Sequence, residues 1–157
     1  VGGGAVFNLP IGRSTTAGGS ASFSRGALQY ISSSLAGGRR IGGTFYGPND
    51  GIIGPDGKIE LSDGVSAMAG FSAGILERTS VTFETGYTRV DQPEVDLDGD
   101  GRLDDLDFHS FGVDGFLGYS PVSGFLIGAG AQYKHVTMDE GPDFGGFSTF
   151  FRAQRLF

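Results

Sequence analysis

Apolar residues occupy every second position through most of the second half of the chain, the period of a β-strand with two different faces. In 65–75 the odd positions Val65, Ala67, Ala69, Phe71, Ala73 and Ile75 are apolar, and the even ones are mostly small or polar. In 80–91, Val81, Phe83 and Tyr87 alternate with Thr82, Glu84, Gly86 and Thr88. In 108–120, Phe111, Val113, Leu117 and Tyr119 share a face, and Ser110, Asp114 and Phe116 take the other. In 124–138, Phe125, Ile127, Ala129, Ala131 and Tyr133 oppose Leu126, Gly128, Gly130, Gln132 and Lys134. The pattern closes with Phe147, Thr149, Phe151, Ala153, Arg155 and Phe157 in 147–157. Weaker alternation places three more strands at 4–12, 20–32 and 39–46, which makes eight. The clearest strands run to about 11–14 residues, against about 5–6 in ordinary globular sheets.

The connections alternate in length. Residues 77–79 and 121–123 are tight turns and 33–38 is a short Gly/Ser turn. Residues 47–62, 92–107 and 139–144 are longer loops. An antiparallel meander of eight strands then has its long loops at one end, and both termini and the short turns at the other.

Composition narrows the class. Of 157 residues 30 are glycine, without the three-residue period of collagen, and interior glycines oppose helix by roughly 1 kcal/mol each. There is no cysteine, so neither a disulfide scaffold nor a thiolate metal site is available. No apolar run approaches the ~20 residues a spanning helix needs. The net charge of −7 is local: Asp91, Glu94, Asp96, Asp98, Asp100, Asp104, Asp105 and Asp107 crowd into 91–107, with Arg102 the one base among them. The remainder is close to neutral and has no basic stripe, which argues against nucleic acid as a partner. The chain reads as one domain, 1–157, carrying an acidic loop at 92–107. With no Met and no charged-then-apolar leader at its start, the sequence reads as a mature or trimmed chain whose export signal, if any, has been removed.

Long two-faced strands, alternating loop lengths and a final strand ending in Phe157, with Phe147 and Phe151 behind it, resemble the small bacterial outer-membrane β-barrel proteins. The resemblance covers most of the chain and is strongest over 64–157. It implies an all-β, eight-stranded antiparallel up-and-down transmembrane barrel. Apolar residues would face lipid, the lumen would be small and polar, and the interior would be too narrow for a large-solute pore. It also implies outer-membrane lipid as the surrounding partner and an envelope or surface protein as a further one, with homo-oligomers compatible.

On the polar face, a turn centred at 122 and a loop centred near 141 bring Asp114 and Arg152 together across Gly130. Glu84 joins them at a similar depth, forming an internal network with Lys134 and Gln132 nearer the long loops. Such a network specifies the fold more readily than it supplies a gate or an acid–base pair.

One motif carries metal chemistry. Asp96-Leu97-Asp98-Gly99-Asp100-Gly101 and the residues to Asp107 fit D-x-D-x-D-G and resemble calcium loops of the EF-hand and dockerin type. Position by position, Asp96, Asp98 and Asp100 supply carboxylates, Gly101 the sharp turn, Arg102 a backbone carbonyl, Asp104 a direct or water-borne ligand, and Asp107 the closing carboxylate. Calcium bound there is structural, and a solvated acidic loop is the plain alternative. Asp50 and Asp56 read as turn residues.

The two histidines, His109 and His135, fall on the apolar face near the long-loop rim. Asp107, His109 and Ser110 hint at a lipid-modifying hydrolase, but His109 and Ser110 point to opposite faces of one strand, so no catalytic residue is assigned. Gly2-Gly3-Gly4 lacks the strand-then-helix context of a phosphate loop, and Arg39-Arg40 reads as a turn-flanking pair. The expected function is a non-enzymatic, porin-like outer-membrane barrel that anchors the envelope or displays loops, one of them ordered by calcium. A second reading stays open: a soluble exported calcium-binding β-protein assembling into a surface layer or fibre, its Gly-rich N-terminal segment pairing with a neighbour.

Overall fold

The computed structural model describes residues 1–11, 13–28, 31, 39–41, 44–46, 49–54, 56–96 and 99–155. Their regular structure is all-β. Seven strands form one antiparallel meander: β1 (Gly2–Leu9), β2 (Arg13–Arg25), β7 (Asp63–Leu76), β8 (Thr79–Asp91), β9 (Phe108–Tyr119), β10 (Phe125–Met138) and β11 (Phe144–Arg155). Between β2 and β7 the chain forms two small hairpins, β3 (Arg39–Ile41) with β4 (Thr44–Tyr46), and β5 (Gly51–Ile53) with β6 (Ile59–Leu61).

The segment expected to be the third barrel strand therefore folds on itself, Arg40 opposite Phe45, and does not join the main sheet. Among the described residues the sheet has seven strands where eight were expected. Among the described residues, β1 pairs with β2 alone and β11 with β10 alone.

The odd strand number also corrects the placement of the termini. The strand ends Arg25 and Asp63, Asp91 and Phe108, and Met138 and Phe144 share one end of the sheet, which carries the long loops; Leu9 and Arg13, Leu76 and Thr79, and Tyr119 and Phe125 share the other. β1 descends from the long-loop end, so Val1 lies there, exchanging hydrogen bonds with Phe23 (2.6 and 2.7 Å). β11 descends toward the short-turn end. Val1 and Arg155, the last residue of β11, are thus at opposite ends of the sheet.

Register fixes what shares a face. The row Gly70–Glu84–Asp114–Gln132–Ser148 crosses five strands. From Thr16 onward even-numbered residues line one side and odd-numbered residues the other, as a period of two requires. The even side holds the buried apolar core, which is confined to the long-loop end. Leu28 and Ile31, just after β2, pack there with Val90, Phe108, Val136 and Met138. Gly64 makes room for them, since a Cβ there would run into Ile31. Backbone and side-chain bonds hold the segment: Gly26 N–H to Ser62 carbonyl (2.8 Å), Ser24 hydroxyl to Ala27 carbonyl (2.6 Å) and Leu28 N–H to an Asp50 carboxylate oxygen (2.7 Å).

Candidate functional site

Two regions carry the functional argument: the two faces of the large sheet, and the acidic end of its β8–β9 loop.

Most of the uncovered large apolar side chains of the sheet lie on the odd face. Phe147 and Phe151 are 69% and 73% exposed, and Phe71, Phe83, Phe111 and Leu117 between 40% and 53%. Val113, Phe125 and Ile127 are half-buried and lie outside the core. Four successive cross-strand rows contain no Asp, Glu, Lys or Arg. They run from Tyr119–Ile127–Ala153, through Val81–Leu117–Ala129–Phe151 and Phe71–Phe83–Gly115–Ala131–Thr149, to Ala69–Thr85–Val113–Tyr133–Phe147. A fifth row adds Tyr87, Phe111 and His135. Charge on this face begins beyond them, with Arg89, Asp63 and Asp91 toward the long loops and Arg155 toward the short turns. From Tyr119 to Phe111 the band spans ~27 Å along β9 at ~3.4 Å per residue. At a strand tilt of about 35–45° that is ~20 Å in height, near the ~25 Å apolar belt of outer-membrane barrels.

The even face is its opposite. It borders a trough of about 830 Å³ whose lining mixes Ser22, Ser66, Glu84, Asp114, Gln132 and Lys134 with apolar residues such as Ile31 and Met68. The trough is bounded toward the long loops by the apolar core. Toward the short turns stand two aromatic rings, Phe116 and Phe150, stacked with centroids 5.9 Å apart and planes within 2°. Arg152 lies over the Phe116 ring at 5.5 Å, a cation–π contact.

Here the expected network is corrected. Glu84 and Asp114 are direct cross-strand partners, as anticipated, but Asp114 lies opposite Gln132, and Arg152 opposite Gly128. Four residues of β10 separate the two levels, ~13 Å along the strand. Arg152 is thus held by an aromatic ring and is not the counter-ion of Asp114.

The acidic loop is ordered by its own carboxylates. The Asp96 side chain accepts hydrogen bonds from Gly99 N–H (2.7 Å) and Gly101 N–H (2.9 Å). Asp100 accepts from Arg102 N–H (2.8 Å). Gly99 and Gly101 adopt φ of +77° and +85°, which side chains with a Cβ resist, so the motif's glycines stand at real turns. Val95 and Asp104 close the loop by an isolated antiparallel bridge. Asp98 lies outside the described residues.

Among the described residues, the carboxylates that converge are Asp105, Asp107 and Asp139, with one oxygen from each within 4.8 Å of the others. Asp96, Asp100 and Asp104 stand outside that group. The sequence motif missed Asp105 and Asp139. The signal for Asp139 was the β9–β10 pairing, which extends past Phe108–Met138 to a bond from Asp139 N–H to the Asp107 carbonyl (3.0 Å). Asp105 is tied in through its own carboxylate, which accepts from Asp107 N–H (2.8 Å).

Asp107 is pushed up to about 6, first by burial and then by the neighbouring charges of Asp105, Asp91 and Asp139, against a lowering hydrogen bond from Gln92 N–H. The folded chain therefore holds this proton more tightly than the unfolded one. Its contribution to stability is complete below about pH 4 and is lost as pH rises through 6. Asp107→Asn is expected to flatten the pH dependence of the unfolding midpoint between 4 and 6 and to raise the midpoint at pH 7. Denaturant melts across that range check both.

His109 and His135 share the odd face at the long-loop rim. The His109 ring lies 6.1 Å from that of Tyr87, and His135 Nε2 lies 3.8 Å from an Asp143 oxygen. His109 and Ser110 project to opposite sides of β9. Asp56 acts as a turn residue, accepting from Lys58 N–H (3.0 Å), whereas Asp50 holds Leu28. Arg39 and Arg40 belong to β3, and Phe157 lies outside the described residues. No family model, no curated protein and no solved structure matches this chain.

Proposed function

We propose that the sheet is embedded in a bacterial outer membrane as a closed transmembrane β-barrel, non-enzymatic, anchoring or bracing the envelope and presenting its long loops outside. One observation carries this reading: most of the uncovered large apolar side chains of the sheet face away from the trough, across rows free of charge, while Glu84, Asp114, Lys134 and Arg152 lie on the trough side. A water-borne sheet has the reverse arrangement, because the apolar face must be covered. Lipid covers it here, and a backbone in lipid needs every N–H and C=O paired, which requires closure.

The chain has no tryptophan, so a single introduced one reports cleanly. After reconstitution into vesicles with brominated acyl chains, Phe83→Trp is expected to be quenched and Phe116→Trp, behind the sheet, to stay bright. Equal brightness of the two, in a protein that stays dispersed without detergent, overturns the reading.

Calcium belongs to the proposal as a structural ion that gathers the acidic loop. Two ligand sets compete for it: Asp96, Asp98, Asp100, the Arg102 carbonyl, Asp104 and Asp107 from the motif, and Asp105, Asp107 and Asp139 from the geometry. Titration calorimetry with calcium chloride separates them. D96N with D100N is expected to abolish binding if the motif holds the ion, and D105N with D139N if the cluster does. Absence of binding by the unsubstituted chain removes calcium from the function.

The exposed β1 edge favours the second reading, a soluble exported β-protein whose Gly-rich first strand adds to a neighbour. Detergent-free solubility together with concentration-dependent fibres or sheets would establish it instead.

A further inference from the structure

We propose that the short-turn end of the sheet binds the headgroups of anionic phospholipids, gathering them there in preference to zwitterionic ones. The ground is the division of charge between the two ends. The stretches 91–107 and 139–143, at the long-loop end, hold eleven acids against Arg102. At the other end Arg13 begins β2, Arg78 lies in the β7–β8 turn and Arg155 ends β11, with Glu77 as the acid among them. Arg152 follows three positions inside Arg155, on the trough side. With one acid among four arginines, this end keeps a net positive side-chain charge however those groups pair with one another.

Two placements suit a phosphate that comes attached to acyl chains. Arg155 is exposed on the odd face, in the row of Phe125, one row beyond Tyr119–Ile127–Ala153 where the charge-free band ends. Under the membrane reading, on which this inference rests, acyl chains give way to headgroups at that level. Arg78 is exposed and fixed at the rim from two sides. Its guanidinium donates to the Pro121 carbonyl (2.7 Å), and its own carbonyl accepts from Ser120 N–H (2.8 Å). The Pro121 bond occupies one of the five N–H donors of a guanidinium, whose planar fork matches phosphate oxygens. A soluble polyanion gains nothing from the margin of an apolar band, whereas a phospholipid presents its phosphate beside its chains. A basic residue near an anionic lipid surface strengthens association by about fivefold. At the long-loop end the crowded acids repel the same headgroups.

The absence of tryptophan permits a local test. Tyr119→Trp reports from the lower margin of the band and Phe111→Trp from the upper one. Each variant is reconstituted into vesicles of phosphatidylcholine with a minority of phosphatidylglycerol, and bromine is carried on the chains of one lipid or the other at equal fraction. Both leaflets have the same composition, so the direction of insertion does not enter. Tyr119→Trp is expected to be quenched more by brominated phosphatidylglycerol, with a local enrichment of about fivefold or more. Phe111→Trp is expected to show no such preference. Arg78→Gln with Arg155→Gln, in the Tyr119→Trp background, should abolish the enrichment. So should 1 M salt on the parent variant, where screening shortens to about 3 Å and no further substitution is needed.

Equal quenching of Tyr119→Trp by the two lipids overturns the inference and leaves the barrel reading standing. Retention on insoluble peptidoglycan alongside equal quenching would assign the arginines to the cell wall instead. A preference that survives salt, or that appears equally at Phe111→Trp, overturns the inference too, because the arginines are then not its source. Quenching by neither lipid overturns it together with the membrane reading, which the Phe83→Trp and Phe116→Trp pair reads independently.

Discussion

Phe83→Arg is expected to cost about 2–4 kcal/mol of stability in bilayers, the range for a cation at the midplane of a barrel's lipid face. Phe83 sits in the third of the four charge-free rows, its ring stacked on Phe71 at 5.9 Å. The guanidinium is too far from either rim to reach water without bending the side chain along the sheet. Tyr119→Arg lies at the lower margin of the band, close to Arg155, and should cost about 0–1 kcal/mol. The depth gradient between the two variants is the informative quantity. In water both sites are exposed, and substitutions at exposed sites generally stay within about 0.5 kcal/mol. Reversible urea titrations in short-chain phosphatidylcholine vesicles give the difference. Equal and small effects would mean that lipid does not cover this face.

The second half of the sheet was legible because its alternation has amplitude. Val, Phe, Tyr and Leu alternate there with Ser, Thr, Gly and charged residues, and the expected 80–91, 108–120 and 124–138 meet Thr79–Asp91, Phe108–Tyr119 and Phe125–Met138 almost residue for residue. β2 was placed too late because its first half, Arg-Ser-Thr-Thr-Ala-Gly-Gly-Ser, contains no large apolar side chain to mark a face. The segment 39–46 has strand-forming residues, yet its two halves pair with each other, Ile41 opposite Thr44, and local pairing closes a shorter loop than a place in the sheet. That one segment accounts for both the missing strand and the misplaced N-terminus.

Faces were easier to read than levels. A face depends only on odd or even position, whereas a level depends on where each turn is centred. Moving a centre by one residue slides the pairing by two. The β9–β10 turn is centred at 123, and the β10–β11 loop at 140, so the errors act in opposite directions along β10 and put Asp114 and Arg152 four residues apart. The acidic loop shows the same division. Its glycine turns and the Asp96 cap follow from local spacing, while the Asp105–Asp107–Asp139 convergence needs two strands in register and a residue 32 positions away from Asp107.

Gly130→Val is expected to be strongly disruptive on the trough side. Gly130 faces the Phe150 ring, and a Cβ at this position would run into Phe150 Cζ while standing 2.8 Å from the Gly115 carbonyl oxygen across the ladder. The ring can be displaced; the neighbouring backbone cannot move without breaking the β9–β10 pairing. Gly128 plays the same part for Phe116. Two adjacent inward glycines thus form the floor on which the Phe116–Phe150 stack lies. Overpacking costs about 1–3 kcal/mol, and disrupting the stack adds about 0.5–1.5 kcal/mol, so a loss of about 2–4 kcal/mol is expected. Gly112→Val is the control, since its nearest neighbour to an added Cβ is the Tyr133 carbonyl oxygen at 3.8 Å, an ordinary contact. If the ring is the obstacle, Gly130→Ala combined with Phe150→Ala should cost less than the two singles together, by 1 kcal/mol or more on the scale usual for touching residues. Strict additivity would show that the backbone contact with Gly115, and not the aromatic stack, is what requires glycine at 130.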